Sequence, residues 1–153
     1  MEIESISWKW NETLIENSAT YNGFQLRYVY NEFSYTGEIT LSDDLGFVKK
    51  VWGRRDLFTE SAFLLVKDNI LFIGLYSGKS TGCHVLAINM VSSQVIWDSQ
   101  LQGLGSVGHS RYRNSVQMCF IDNKLFVFGW ESSGKYIEIL DPDSGALLLN
   151  RRI

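Results

Sequence analysis

Two stretches of the chain repeat the same succession of apolar runs and polar turns. Each stretch contains an apolar run, an Asp-Asn turn, a second apolar run, a Gly/Ser loop, a third run, a polar turn and a fourth run. The first copy covers residues 61–101 and the second covers 115–153, so that Asp68-Asn69 aligns with Asp122-Asn123. A repeat of about 40 residues that contains four strands is typical of a propeller blade.

Alternation of apolar and polar residues also predicts strands before the repeat. The segment 4–10 alternates as one half-buried strand does, and Asn22-Gly23 is a hairpin-turn sequence followed by another alternating run. Residues 1–60 are therefore N-terminal strands that form a possible degenerate third blade. Helical periodicity is weak throughout, and residues 56–65 are the one candidate for a helical turn.

These patterns predict a single all-β domain over residues 1–153, built from antiparallel sheets of partial β-propeller type. It would contain two four-stranded blades, at 61–101 and 115–153, with the strands of 1–60 packed against them. Propellers normally close as rings of about four to eight blades, so two or three blades leave sheet edges open. We expect these edges to be managed by strand curvature, by the N-terminal strands or by a partner.

The end of each repeat carries a resemblance to a known family. Tyr136–Ala146 reads YIEILDPDSGA, and in the first copy the segment Leu86–Trp97 supplies a closing tryptophan. These residues resemble the blade repeat of quinoprotein-like (PQQ-type) propellers. Asp141 and Ser144 are expected to bond backbone groups of the turn, and Gly145 is expected to adopt a positive φ. The resemblance implies a blade but no quinone cofactor, because most of the family's ring has no counterpart here.

Charge and composition change this picture in the first third. Aromatic residues make up 14% of the chain, and residues 1–48 hold eight carboxylates against two cations although the net charge is only −3. Such a region disfavours direct nucleic-acid binding and favours a basic protein partner. The N-terminus does not read as a secretory leader and no apolar run reaches membrane-spanning length, so we expect a cytoplasmic protein without membrane contact.

Sequence patterns for catalysis or metal binding are weak. Gly103–Gly108 matches G-x-G-x-x-G, but no strand–loop–helix unit surrounds it. His84 follows Cys83 without the further ligands that zinc requires, so a surface or capping role is expected for it. Cys83 and Cys119 are expected to be reduced and mostly buried. We predict a protein that is not an enzyme and has no metal and no cofactor; an acid–base site around His109 is the less favoured alternative.

Two hypotheses for function follow from these features. The small, acidic, single-domain profile is similar to that of bacterial toxin-immunity proteins. The leading hypothesis is therefore a protein-binding module for bacterial competition that neutralises a cognate toxin, such as a basic RNase, by occluding its active site. Carboxylates such as Asp43 and Asp44 would then replace phosphate oxygens in the partner's cleft. The alternative is a propeller-like scaffold or adaptor subunit that docks at an open blade edge by strand addition.

The candidate partner-binding residues are acidic, aromatic or basic side chains of the first third, the interblade loop and the second blade. They are Glu32, Tyr35, Glu38, Asp43, Asp44, His109, Arg111, Tyr112, Arg113 and Trp130.

Overall fold

The structure, a computed structural model, describes residues 4–6, 9–11, 16–31, 36–43, 45–46, 48–55, 58–76, 84–102, 117–131 and 134–152. Over these ranges the chain forms three antiparallel β-sheets and no helix, which confirms the predicted all-β class. We call the sheets the N-terminal, middle and C-terminal blades. Each sheet contains strands that are consecutive in the sequence, except that the first strand of the chain belongs to the middle blade.

The N-terminal blade contains β2 (Lys9–Asn11), β3 (Glu16–Tyr21), β4 (Phe24–Asn31), β5 (Thr36–Ser42) and β6 (Val48–Arg55), paired in that order. The middle blade contains β1 (Glu4–Ile6), β7 (Phe58–Lys67), β8 (Ile70–Tyr76), β9 (His84–Asn89) and β10 (Gln94–Gln100). The C-terminal blade contains β11 (Gln117–Ile121), β12 (Lys124–Glu131), β13 (Gly134–Leu140) and β14 (Leu147–Arg152).

The Asp-Asn and Asn-Gly dipeptides form the tight turns expected of them. Both residues of Asp68-Asn69 have positive φ, at 52° and 61°, and Asp122-Asn123 has 49° and 57°. Asn22-Gly23 turns in the same way between β3 and β4. Two-residue turns with positive φ match the right-handed twist of the strands they join, and they fix the register of each hairpin.

The first sixty residues differ from the prediction in two places. The alternating segment 4–10 does not form one strand: β1 pairs with β7 in the middle blade, whereas β2 pairs with β3 in the N-terminal blade. The candidate helical turn over 56–65 is also wrong, since β7 begins at Phe58 and pairs with β8 through a register shift. Pairing with β8 provides backbone partners that a short helical turn could not. Strands β3–β6 form a four-stranded antiparallel meander.

The core lies in two layers, one on each side of the middle blade. Side chains of β7–β9 alternate between the layers, because successive residues of a strand point to opposite faces. One layer packs the middle blade on the N-terminal blade, through Ala19, Leu26, Tyr28, Ile39 and Leu41 against Leu64, Val66, Leu71, Ile73, Leu86, Ile88 and Met90. The other packs it on the C-terminal blade, through Leu65, Phe72, Val85, Ala87, Trp97 and Leu101 against Met118, Leu125, Val127 and Leu140.

Candidate functional site

The contact between the middle and C-terminal blades shows how one blade receives the next. The indole Nε1 of Trp97 donates a hydrogen bond of 2.8 Å to the carbonyl oxygen of Pro142, in the turn between β13 and β14. Ser99 donates from its hydroxyl to the carbonyl oxygen of Gly145 in the same turn. Phe72 packs at 5.9 Å from Trp97, centroid to centroid. The last strand of one blade therefore holds the turn of the blade that follows it.

The turn is preorganised by its own side chains, as the sequence predicts. The Asp141 carboxylate accepts hydrogen bonds from the backbone N–H groups of Asp143, at 2.8 Å, and Ser144, at 3.3 Å. The Ser144 hydroxyl accepts from the N–H of Ala146, and Gly145 has a φ of 74°. An Asx turn of this kind presents its carbonyl groups in a fixed direction. The carbonyl oxygens of Pro142 and Gly145 therefore point at the donors of the middle blade.

A buried carboxylate joins the same two blades. Glu138 on β13 is 0% exposed, and its Oε1 accepts from the Gln102 backbone N–H at 2.6 Å and from Asn150 Nδ2 at 2.9 Å. Gln102 follows β10, so the bond ties the end of the middle blade to the face of the next. A buried charge is tolerated only when such donors satisfy it.

His84, on β9, is a buried polar residue of the middle blade. The repeat places Asp98 on Asn150, and His84 Nδ1 lies 2.8 Å from Asp98 Oδ1. The surface or capping role expected for His84 is wrong, because β9 is covered on both faces and the side chain is only 2% exposed. An ionised Asp98 can only accept, which places a proton on Nδ1. Within the described ranges the Nε2 atom has no hydrogen-bond partner.

The two ends of the three-blade stack are chemically different. On the N-terminal blade, the face turned away from the middle blade carries mostly polar residues on β3–β5: Ser18, Thr20, Gln25, Arg27, Glu38, Thr40 and Ser42, with Val29 as an exception. On β6, Val48 lies opposite Ser42 by register. Repeat proteins need a polar outer face on a terminal unit, which otherwise would expose a core surface to water. The N-terminal blade thus has the composition of a cap.

The C-terminal blade has an apolar face at the other end of the stack. Register aligns Cys119, Phe126, Ile139 and Leu149 in one row across its four strands, on the side opposite Leu125, Val127 and Leu140. A second row places Phe128 beside Ile137. Ile121 is 48% exposed and Leu149 37% exposed. We call this surface, from Cys119 to Leu149, the outer face.

The repeat identifies the counterpart of the outer face. Cys119, Phe126, Ile139 and Leu149 align with Leu65, Phe72, Ala87 and Trp97 of the middle blade. Those four residues are the ones that receive the C-terminal blade. The outer face is thus the receiving side of a blade, with Leu149 in the position of the docking tryptophan.

The charges on the outer face have one sign. Its strand positions carry Lys124, Lys135 and Arg151, all exposed, and no carboxylate. Lys124 lies beside the first apolar row, opposite Ile121, and Arg151 continues the second row on the edge strand β14, opposite Ile137. The arrangement is an apolar centre with a cationic margin, which differs from the acidic, basic-partner surface predicted for the first third.

Most of the predicted partner-binding residues cannot be placed. Glu32, Tyr35, Asp44, His109, Arg111, Tyr112 and Arg113 lie outside the described residues, as does Cys83.

The structure places three of the candidates, and it does not bring them together. Glu38 is half-buried on β5, opposite Val29 of β4. Asp43 follows β5, and its Oδ1 accepts from the Leu45 N–H at 3.0 Å, so this carboxylate shapes its own turn. Trp130 pairs with Lys135 in the C-terminal blade, at the other end of the stack. Sequence reasoning missed the outer face, although the continuous apolar run of β12 from Leu125 to Phe128, which makes both faces of the strand apolar, contained the signal.

Three further observations concern metal binding, membrane crossing and thiols. Among the residues that the structure describes, no group of three or more His, Cys, Asp or Glu is placed to hold a metal ion. Over the same ranges, no helix has the length and apolar composition needed to cross a membrane. Cys119 is a half-buried free thiol on the outer face.

Comparison with known proteins identifies a fold. No family model matches the chain, and no curated protein matches its sequence. A europium-containing methanol dehydrogenase superposes with a TM-score of 0.53 at 8% identity, over 88% of this chain and 24% of that one. The β-propeller domain of the Trilobed protease from Pyrococcus furiosus, described as having an open velcro topology, superposes with a TM-score of 0.55 at 12% identity, over 100% of this chain and 55% of that one.

These likenesses show a propeller-like fold and nothing finer. They agree with the predicted blade repeat, while the chain spans about a quarter and about half of the two similar chains. The resemblance to toxin-immunity proteins has no support among them.

Proposed function

We propose that this protein is a propeller-like scaffold that docks another protein on the outer face of its C-terminal blade. The observation that carries the proposal is the difference between the two ends of the stack. The N-terminal end is polar, whereas the C-terminal end repeats the apolar surface that receives a blade inside the molecule. A contiguous apolar surface with a charged margin is typical of a protein-binding site.

The partner should present a sheet with an apolar face and carboxylates around it. The sheet follows from the repeat, because the equivalent surface of the middle blade is covered by a sheet. The carboxylates follow from Lys124, Lys135 and Arg151, since opposite charges at the margin of an interface speed association and select the partner. A second copy bound face to face would oppose cation to cation, and the end face of its N-terminal blade is mostly polar at the described positions.

The proposal is tested by crosslinking from the two end faces. A photoreactive phenylalanine analogue replaces Phe126 in one variant and Gln25, on the polar end, in the other, and both are expressed in the source cells. We expect a specific adduct from position 126 and none from position 25. The purified partner should bind the unmodified protein in a titration, and Phe126→Asp should weaken binding by about 30-fold or more, as the loss of a central interface residue does.

Charge and folding serve as controls in the same titration. Arg151→Glu should weaken binding about tenfold and reduce its salt dependence, because the residue lies at the margin. Gln25→Asp should change neither affinity nor stability. Binding that persists in the double variant Phe126→Asp with Ile139→Asp, both folded by circular dichroism, would contradict the proposal. Self-association that Phe126→Asp abolishes would instead make the outer face a homodimer interface, which also contradicts it.

A further inference from the structure

The three blades differ in whether another strand pairs with the first strand of the meander. The first strand of each four-stranded meander is β3, β7 or β11, and it lies at one edge of that meander. In the N-terminal blade β2 adds to β3, and in the middle blade β1 adds to β7, both antiparallel. In the C-terminal blade β11 is the first strand of the sheet, and no strand of the described ranges pairs with the edge of β11 that faces away from β12. Two of three equivalent edges are therefore closed by short added strands.

The residues of β11 correspond to those of β7 that bind β1. In the middle blade Glu4 lies opposite Val66, Ser5 opposite Leu65 and Ile6 opposite Leu64. The repeat aligns the segment Leu64–Val66 with Met118–Phe120. The open edge thus has the backbone position and the apolar character of an edge that is seen to accept a strand. An unpaired edge offers N–H and C=O groups to any extended chain of suitable register.

Side chains near β11 indicate which segment fits. Lys67 Nζ lies 4.8 Å from the ring centroid of Phe120 and 3.4 Å from Asn123 Oδ1, so a cation lies beside the edge. Met118 is buried and Phe120 half-buried, packing against Phe72 at 5.2 Å between centroids. A residue opposite Met118 would extend an apolar layer, and a carboxylate opposite Phe120 would be near Lys67. That order is the one that Glu4 and Ile6 have opposite β7.

We infer that the open edge of β11 binds an extended segment of a partner protein, antiparallel, with the pattern acidic, any residue, apolar. Backbone pairing supplies the attachment, and the two side chains that face Phe120 and Met118 supply the selection. This site is separate from the outer face, because Met118 and Phe120 point to the side of the sheet opposite Phe126.

The test supplies such a segment to the edge. A second copy of residues 1–11 is fused after Ile153 through about 15 Gly/Ser residues, a linker with a reach on the order of 20 Å. Tethering raises the local concentration to the millimolar range, which compensates for the weak pairing of a short strand. Amide hydrogen exchange is measured by NMR in the fused and unfused proteins. We expect exchange of the β11 amides that face the edge to slow about tenfold in the fusion.

Variants of the fused copy define the mode of binding. Ser5→Pro in the fused copy, which prevents regular strand pairing, should abolish the protection. Glu4→Lys in the fused copy should weaken it, because Lys67 would then face a like charge. Phe126→Asp in the body of the fusion should leave the protection intact, so failure at the outer face and failure at this edge are distinguishable.

Three outcomes would overturn the inference. The first is unchanged exchange over Gln117–Ile121 in the fusion. The second is protection that survives Ser5→Pro in the fused copy, which would show that strand pairing is not its cause. The third is protection of these amides that rises with concentration in the unfused protein, since the occupant would then be the N-terminal strand of a second copy.

Discussion

Gly145 is the residue on which the contact between the middle and C-terminal blades depends most directly. Its φ of 74° favours glycine, and a methyl group there would lie 2.6 Å from Trp97 Cδ2 and 2.5 Å from Ser99 Oγ. Both neighbours are fixed, because Trp97 donates to Pro142 and Ser99 donates to Gly145 itself. A side chain at this position would have to separate the turn from the indole ring.

Gly145→Ala should therefore destabilise the protein by about 2–4 kcal/mol, from backbone strain together with the clash. Gly46→Ala is the matched control, since Gly46 also has a positive φ, 85°, but nothing lies within 4 Å of its methyl position. That variant should lose only about 1 kcal/mol. Urea unfolding of both proteins measures the difference. Equal losses would mean that the packing of Gly145 on Trp97 contributes nothing.

At the scale of elements, the three-residue strand β1 covers the edge of a strand that belongs to the core. Its three residues cover the edge of β7, which contributes to both core layers through Leu64, Leu65 and Val66. An uncovered strand edge exchanges its amide hydrogens faster and invites pairing with other chains.

Deletion of residues 1–7 should speed amide exchange at Leu64–Val66 about tenfold or more for the amides that face β1. Removal of residues 1–3 alone, which leaves β1 in place, is the control and should have little effect. Exchange in β12 should stay slow in both proteins, because β11 and β13 flank that strand. Unchanged exchange at Leu64–Val66 after the longer deletion would show that β1 does not protect the edge.

At the scale of the whole molecule, the middle blade makes the three sheets one folding unit. Its strands contribute to both core layers, so neither end blade has a complete core without it. Three blades stacked in this way do not require a closed ring, provided that each end face is polar or is covered.

Leu86→Ala in the middle blade should lower the free energy of unfolding by about 2–5 kcal/mol, because the side chain is fully buried. Leu149→Ala on the outer face should cost about 0.5 kcal/mol. In Leu86→Ala, tryptophan fluorescence and circular dichroism should report one coincident urea transition, shifted to lower urea. A separate transition for one blade would show that the sheets unfold independently.

Local chemistry explains why much of the fold can be predicted from the sequence. Asp-Asn and Asn-Gly turns require positive φ, strict alternation specifies strands, and the Asp141–Gly145 segment encodes its turn in side-chain hydrogen bonds. The apolar run of β12 continues over both faces of the strand, as the runs of the middle blade do. The sequence alone therefore does not distinguish a sheet covered on both faces from one covered on a single face.

The candidate site could not be predicted in the same way, because it depends on contacts between residues distant in sequence. The buried His84 has a hydrogen-bond partner only because β10 brings Asp98 beside it. Segment 4–10 divides because β1 and β2 pair with strands of different sheets. The sequence alone determined strands, turns and the repeat, since these depend on neighbours within a few residues. Tertiary structure decided which blade faces are covered and which edges of the described strands are paired, because burial belongs to the assembled stack.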